Sequence, residues 1–199
     1  MALKIEAKFN SADLNLWLNS TSQKALQKVV ARSINRTAIT VRKTAQQKIR
    51  EKIRLSAGEI RDALPIKKKA SPSQPIESQE ATIHASAKGI PLSHFNPRQT
   101  RAGVSVNITG KRQVIKSAFI ARMPNAASPS VFRRVRVRLP GTAIHRGRRG
   151  SELPIEKQSY KSIASIFPEV TDQLVPIAEK RFAEEFERNF KHQVEGGGD

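Results

Sequence analysis

Leu26, Val29, Val30, Ile34, Thr37, Val41, Thr44 and Ala45 fall on one side of a rod that turns once every 3.6 residues. A helical period sustained over that length requires one long helix laid against a partner layer, which the rest of the chain must supply. Thr21 or Ser22 can cap it, since either hydroxyl can accept from an orphan amide of the first turn. Lys28, Arg32, Arg36, Lys43 and Arg50 share much of the opposite face, so that face is expected to meet solvent or something negative. Lys48 interrupts the apolar stripe, and Ile49 and Ile53 have rotated to another azimuth. The helix is therefore expected to bend or leave the core near its C-terminal end.

Around that helix the remaining elements follow from local signals. Leu3, Ile5 and Ala7 alternate with polar residues, as in a short first strand or an arm that pairs with another chain. Ser56 and Glu59 have the spacing of a capping box, so a second, short helix starts there; it ends by Leu64, because Pro65 disfavours helical geometry in the residue before it. Lys67, Lys68 and Lys69, then Ser71, Pro72, Ser73 and Pro75, read as a linker or mobile loop. Two alternating strand patterns follow, Ala81 to Ala87 and Val104 to Ile108. Thr109-Gly110-Lys111 is a turn, and a strand from Val114 to Ala121 closes a hairpin. Val131, Val135, Val137 and Leu139 form the apolar side of a further strand, and Leu153 and Ile155 an edge strand. The last helix runs from about Pro168 to about Gln193, with Pro176 as a possible kink or restart point. Ala178, Phe182, Phe186 and Phe190 repeat every four residues along it and predict one buried stripe.

The charges are segregated. Residues 81–151 contain no Asp or Glu and fourteen Lys and Arg, and Glu169, Asp172, Glu179, Glu184, Glu185 and Glu187 gather in the last helix. Single-sign fields repel themselves and are tolerated chiefly where something anionic is to be met. Arg134, Arg136 and Arg138 line one face of the expected strand, and Arg146, Arg148 and Arg149 stand in a Gly-rich flexible loop. Three readings stay open for them: a solvated face, contact with DNA, or contact with an acidic neighbouring subunit. A net charge of +19 on 199 residues makes binding or assembly the expectation.

Other classes are disfavoured. The chain has no cysteine, so disulfides and thiolate metal sites are out, and its four histidines, at 84, 94, 145 and 192, lack metal-ligand spacing. It has no nucleophile elbow and no phosphate-binding Gly-rich loop, and its basic body offers no carboxylate pair for acid–base work. An enzyme is not expected, nor is a cofactor. One Trp and one Tyr count against a single-strand binder built on stacking platforms. No stretch reaches the roughly 18 apolar residues of a membrane span. The N-terminus MALKIEAKFN lacks the apolar run of a secretory signal, so the product is expected to stay in the cytoplasm where it is made.

Several segments, taken in order, resemble one family. Ile34-Asn35-Arg36-Thr37-Ala38, the capped IRLSAGEIRDAL from Ile53, PLSHFNPRQTRAGVSV from Pro91, KSAFIA from Lys116, VFRRV from Val131 and Leu153-Pro154-Ile155-Glu156-Lys157 are similar to the prophage minor tail protein Z family, the tail completion proteins of lambda-like long-tailed phages. The resemblance covers about residues 20–190. It implies a structural role at the neck, where the finished tail joins a DNA-filled head. The partners it implies are further copies of the chain in a ring, six-fold in this reading, the tail terminator and head-completion or connector proteins, the end of the tape measure protein, and DNA in the channel. The location it implies is the virion, with the host cytoplasm during assembly. A sequence-nonspecific DNA-binding protein is the alternative on charge alone, and a hydrolase acting on cell wall or nucleic acid a distant third.

The fold expected is α+β: a long N-terminal amphipathic helix and a C-terminal helix on a mainly antiparallel sheet, with extended basic loops. The expected organisation is one domain over residues 1–193, with a helical part at about 20–64, a linker at about 65–76, a β-rich part at about 80–156 and the last helix at about 168–193. Residues 194–199 are expected to be a disordered tail.

Overall fold

The apolar stripe forms α1, Gln23–Lys52, in the computed structural model, which describes residues 2–6, 23–124, 126–134 and 155–195. The chain is α+β, and every strand pairing among the described residues is antiparallel. It divides into two compact units: Met1–Glu51, Ser56–Lys88 and Ile163–Asp199 make the first, Lys52–Leu55 and Gly89–Ser162 the second.

In the first unit α1 buries more of its circumference than the apolar stripe alone predicts. Ala31, Ala38 and Ile49 are buried beside Leu26, Val30, Ile34 and Val41. The helix does not leave the core at Lys48, and Ile49 is fully buried. At about 100° per residue Ile49 returns to the azimuth of Ala31, so the buried arc is wide rather than bent. Different partners line its two sides. On one, the Asn35 side chain donates to the Ala70 carbonyl at 2.8 Å and accepts from the Ala70 amide at 2.9 Å, while Gln46 donates to the Ala57 carbonyl. On the other lies α4, described below.

The short helix α2, Ala57–Ala63, carries the expected capping box: Ser56 accepts from the Glu59 amide and Glu59 from the Ser56 amide. Residues 66–68, expected in a linker, instead form strand β2, Ile66–Lys68. It pairs with β3, Glu80–His84, whose other edge takes β1, Ala2–Glu6, in the order β1-β3-β2. The first strand thus has a partner in its own chain. Lys67 and Lys68 hide the strand signal because β2 is an edge, where lysines face solvent and discourage further pairing. The segment that follows is held by Asn35 at Ala70 and by Gln79, which is 1% exposed and donates to the Gln27 and Gln74 carbonyls at 3.2 and 3.1 Å.

Helix α3, Ile163–Ile166, leads into α4, Pro168–Glu195, which runs on through Pro176. Val170, Leu174 and Phe186 of α4 are buried. Phe182, Phe186 and Phe190 follow one another with ring centroids 6.0 Å apart at each step, the first pair tilted and the second stacked, but Phe182 and Phe190 are only half-buried. A four-residue repeat drifts about 40° per step around a helix, so three such rings do not share one buried line.

In the second unit the expected sheet is three small ones. Strands β4, Gly89–Pro91, and β11, Ser159–Ser162, make a two-stranded sheet. Strands β5, Arg98–Thr100, β6, Gly103–Asn107, and β7, Arg112–Lys116, form an order β5-β6-β7, with the predicted turn closing the β6–β7 hairpin. The strand expected from Val114 to Ala121 is broken at Ser117, whose φ is 60°, and its second half becomes β8, Ala118–Ala121. That piece joins β9, Ser130–Arg134, and β10, Ile155–Lys157, in the order β10-β9-β8. The Gln99 side chain joins β5 to two other strands, donating to the Gly103 carbonyl at 3.2 Å and accepting from the Ile120 amide at 3.0 Å. Phe95, Val104, Val106, Val131 and Phe132 supply buried apolar volume, with Tyr160 edge-on to Phe95 at 5.7 Å.

Candidate interaction surface

Nine Lys and Arg side chains and a single Glu lie along α1. The helical period that buries Leu26 and Ile34 turns Lys24, Lys28, Arg32, Arg36, Lys43 and Arg50 outward together, and all six are exposed. From Lys24 to Arg50 this face is about 39 Å long at 1.5 Å per residue. The expected contact residues Lys28, Arg32 and Arg36 are thus brought together on one helix face. Among the described residues Lys28 and Arg32 have no ionic or hydrogen-bonding partner. Such a row attracts anions at long range, an effect that falls with salt.

Arg36 differs from its neighbours because it reaches across to α4. One guanidinium nitrogen lies 3.5 Å from a Glu185 carboxylate oxygen. That carboxylate is 3% exposed, and Arg181 at 2.6 Å and Arg188 also pair with it. Beside it the Asn189 amide donates to Ser33 Oγ at 3.0 Å, while Ser33 Oγ donates to the Val29 carbonyl at 2.8 Å. The contacts Ser33 with Asn189 and Arg36 with Glu185 run in opposite chain directions, so α4 lies antiparallel on α1 of the same chain. A buried carboxylate needs its charge and its lone pairs met, and three guanidiniums do both. Sequence reading counted Glu185 among the acids of the last helix and missed this clasp. The available signal was the spacing: Arg181 and Arg188 stand four residues before and three after Glu185, on the side of the helix next to the Phe repeat.

Of the strand arginines, Arg134 ends β9 with its guanidinium carbon 5.6 Å from the centre of the Phe119 ring, and Phe119 itself stands opposite Phe132. Arg133 is exposed and in register with Glu156 of β10. Arg136, Arg138, Arg146, Arg148 and Arg149 lie outside the described residues, as do Val135, Val137, Leu139 and Leu153. The three arginines expected on one strand face are therefore represented here by Arg134 alone. Its stacking on Phe119 gives it a place in the fold as well as a charge.

His84 sits in β3, His94 and His192 are exposed, and His145 lies outside the described residues. Among the described residues no group of three or more His, Asp or Glu is placed to hold a metal ion, and no helix is long and apolar enough to cross a membrane. What the surface offers is charge along two helices and exposed arginines on a thin sheet. Comparison with protein-family models, with curated proteins and with solved structures found no match to this chain.

Proposed function

We propose that this chain is a structural tail completion protein of a lambda-like long-tailed phage, placed at the neck and needed for joining finished tails to DNA-filled heads. The observation that carries the reading is the ordered set of segments that resembles the prophage minor tail protein Z family. Three of those segments carry residues that hold this fold in shape. Asn35 clasps Ala70 and Arg36 pairs with Glu185; Ser56 and Glu59 cap α2; Gln99 ties β5 to β6 and β8. Shared residues in such positions fit a shared architecture rather than a shared reaction, which suits a part whose work is to occupy a place in an assembly.

In this reading the exposed basic face of α1 and the arginines of the second unit meet anionic surroundings: acidic neck subunits, further copies of the chain, or DNA in the channel. The tail terminator, the head-completion or connector proteins and the end of the tape measure protein are the proposed neighbours. Deleting the gene should leave DNA-filled heads and full-length tails that remain separate in negative-stain images, with plaque formation restored by a plasmid copy. Normal plaque yield from the deletion would refute it.

A sequence-nonspecific DNA-binding protein is the second reading, favoured by the row of exposed cations on α1. It predicts duplex affinity that falls with salt on a log–log slope of about 0.9 per phosphate contact. A chain whose deletion spares particle assembly, and whose duplex affinity follows that slope, belongs to this second class.

A further inference from the structure

The two longest helices carry opposite charge on their outer faces. On α4, Asp172, Glu179 and Glu187 are exposed, lie within about 80° of one another around the helix, and have no partner among the described residues. Pro176 and Ala183 are the exposed residues inside that arc, and exposed Lys180 lies about 20° beyond Glu187. On α1 the exposed row is Lys28, Arg32, Arg36 and Lys43, with Ile39 among them at 50% exposure. Both faces belong to the first unit, and neither is used in the α1–α4 packing of a single chain apart from Arg36. That residue, 54% exposed, retains donors beyond its contact with Glu185.

The spacings match. Lys28, Arg36 and Lys43 are eight and seven residues apart, and Glu187, Glu179 and Asp172, read in the reverse direction, are also eight and seven apart. Each row is about 22 Å long at 1.5 Å per residue. Laid antiparallel in that register, three opposite-charge pairs form, and the position facing Ile39 is Pro176, next to Val175 at 45% exposure. Ile39 and Val175 are two of the four large apolar side chains that the described surface exposes. The arrangement is an apolar centre with a charged rim, as protein interfaces have.

We infer that the basic face of α1 docks on the acidic face of α4 of a second copy of this chain. The two faces differ, so the contact is heterologous: each copy offers one face to the next, and the result is a closed ring or an open chain of subunits. The row of cations is then a recognition surface for this chain's own acidic helix rather than for phosphate. The inference deepens the ring expected under the tail-completion reading and rests on that reading for its setting in the particle.

The test is sedimentation velocity of the full chain at low ionic strength, with Lys28→Glu plus Lys43→Glu, with Asp172→Lys plus Glu187→Lys, and with all four changes in one chain. Wild type should associate beyond a dimer. Each two-site variant should lose association by on the order of tenfold or more, because every reversal sets like charges opposite one another. An equimolar mixture of the two variants should again associate beyond a dimer, with the variants alternating, because the intact faces meet and so do the two reversed ones. The four-site variant should associate again. Circular dichroism melting checks that the variants fold; should a reversal unfold the chain, Lys28→Gln plus Lys43→Gln and Asp172→Asn plus Glu187→Gln remove the same charges more mildly. Wild-type association in either two-site variant, or no rescue by the four-site variant, overturns the inference. So does loss of duplex DNA binding in the Lys28 and Lys43 variant with self-association intact. A monomeric wild type also overturns it, and leaves the deletion phenotype to judge the tail-completion reading separately.

Discussion

In the first unit α1 buries eleven residues on one helix, whereas in the second unit every residue of β5 and β10 is exposed and β7 buries none. The helical unit is specified by side-chain volume over a wide arc. In the sheet unit burial concentrates in β6, β9 and the turn around Phe95, and the outer strands are held mainly by backbone pairing and a few single contacts such as Gln99. A highly charged chain can keep its shape in either way, but the two ways fail differently under substitution.

The largest expected difference follows from volume. Ile34→Ala, at a fully buried position of α1, should lower unfolding free energy by about 2–5 kcal/mol in urea titration. Val114→Ala, on β7 at 48% exposure, should change it by no more than about 0.5 kcal/mol. Equal losses would break the comparison, because they would mean that β7 carries as much packing as α1.

The sheet unit has its own sensitive point in the backbone. Gly103 has φ 149°, and a Cβ there would stand 2.0 Å from the Ile115 carbonyl oxygen of the neighbouring strand. A side chain cannot be accommodated without moving the β6–β7 pairing. Gly103→Ala should therefore cost about 3 kcal/mol, close to the cost of a buried cavity, although only one methyl group is added. A melting temperature within one or two degrees of wild type would show that β7 can shift cheaply.

Next in size is the clasp between α1 and α4. Glu185→Gln keeps the shape and removes the charge that three guanidiniums share. Those guanidiniums belong to side chains that are 37–55% exposed, so water can re-solvate them and soften the loss. The expected cost is about 1–2 kcal/mol, that of weakened charge-assisted hydrogen bonds at a buried carboxylate. A loss above that range would mean that α4 comes away from α1 as a whole, which proteolysis at the chain's C-terminal end would report.

Periodicity made the helices legible. A 3.6-residue repeat states which face is buried, and Ser56 with Glu59 states where α2 begins, because both signals are local. What the sequence hid was non-local. Lys67 and Lys68 look like linker residues because an edge strand tolerates solvated side chains on either face. The break at Ser117 is a single left-handed residue between two segments that each read as strand, so no pattern marks it. Glu185 looks like one more surface acid until Arg36, which precedes it by 149 positions, is brought beside it. For the candidate surface, Lys28, Arg32 and Arg36 could be placed on one face from spacing alone. That an opposite row of equal length is exposed on α4 depended on knowing which side of α4 is turned toward α1.

The last expected effect has the opposite sign and sharpens the contrast between the two glycines. Gly58 occupies the first turn of α2, and a Cβ added there meets no heavy atom within 4 Å. The capping box fixes the backbone of that turn through Ser56 and Glu59, so it does not depend on the freedom of a glycine. Replacing Gly58 by Ala removes conformations available to the unfolded chain and clashes with nothing in the folded one. Stability should rise by about 0.5–1 kcal/mol. The same chemical change thus stabilises the helical unit at Gly58 and destabilises the sheet unit at Gly103, and calorimetry on the two single variants reads both signs. A loss at Gly58 would mean that the first turn of α2 needs a bare backbone, as it would if a neighbouring molecule approached it there.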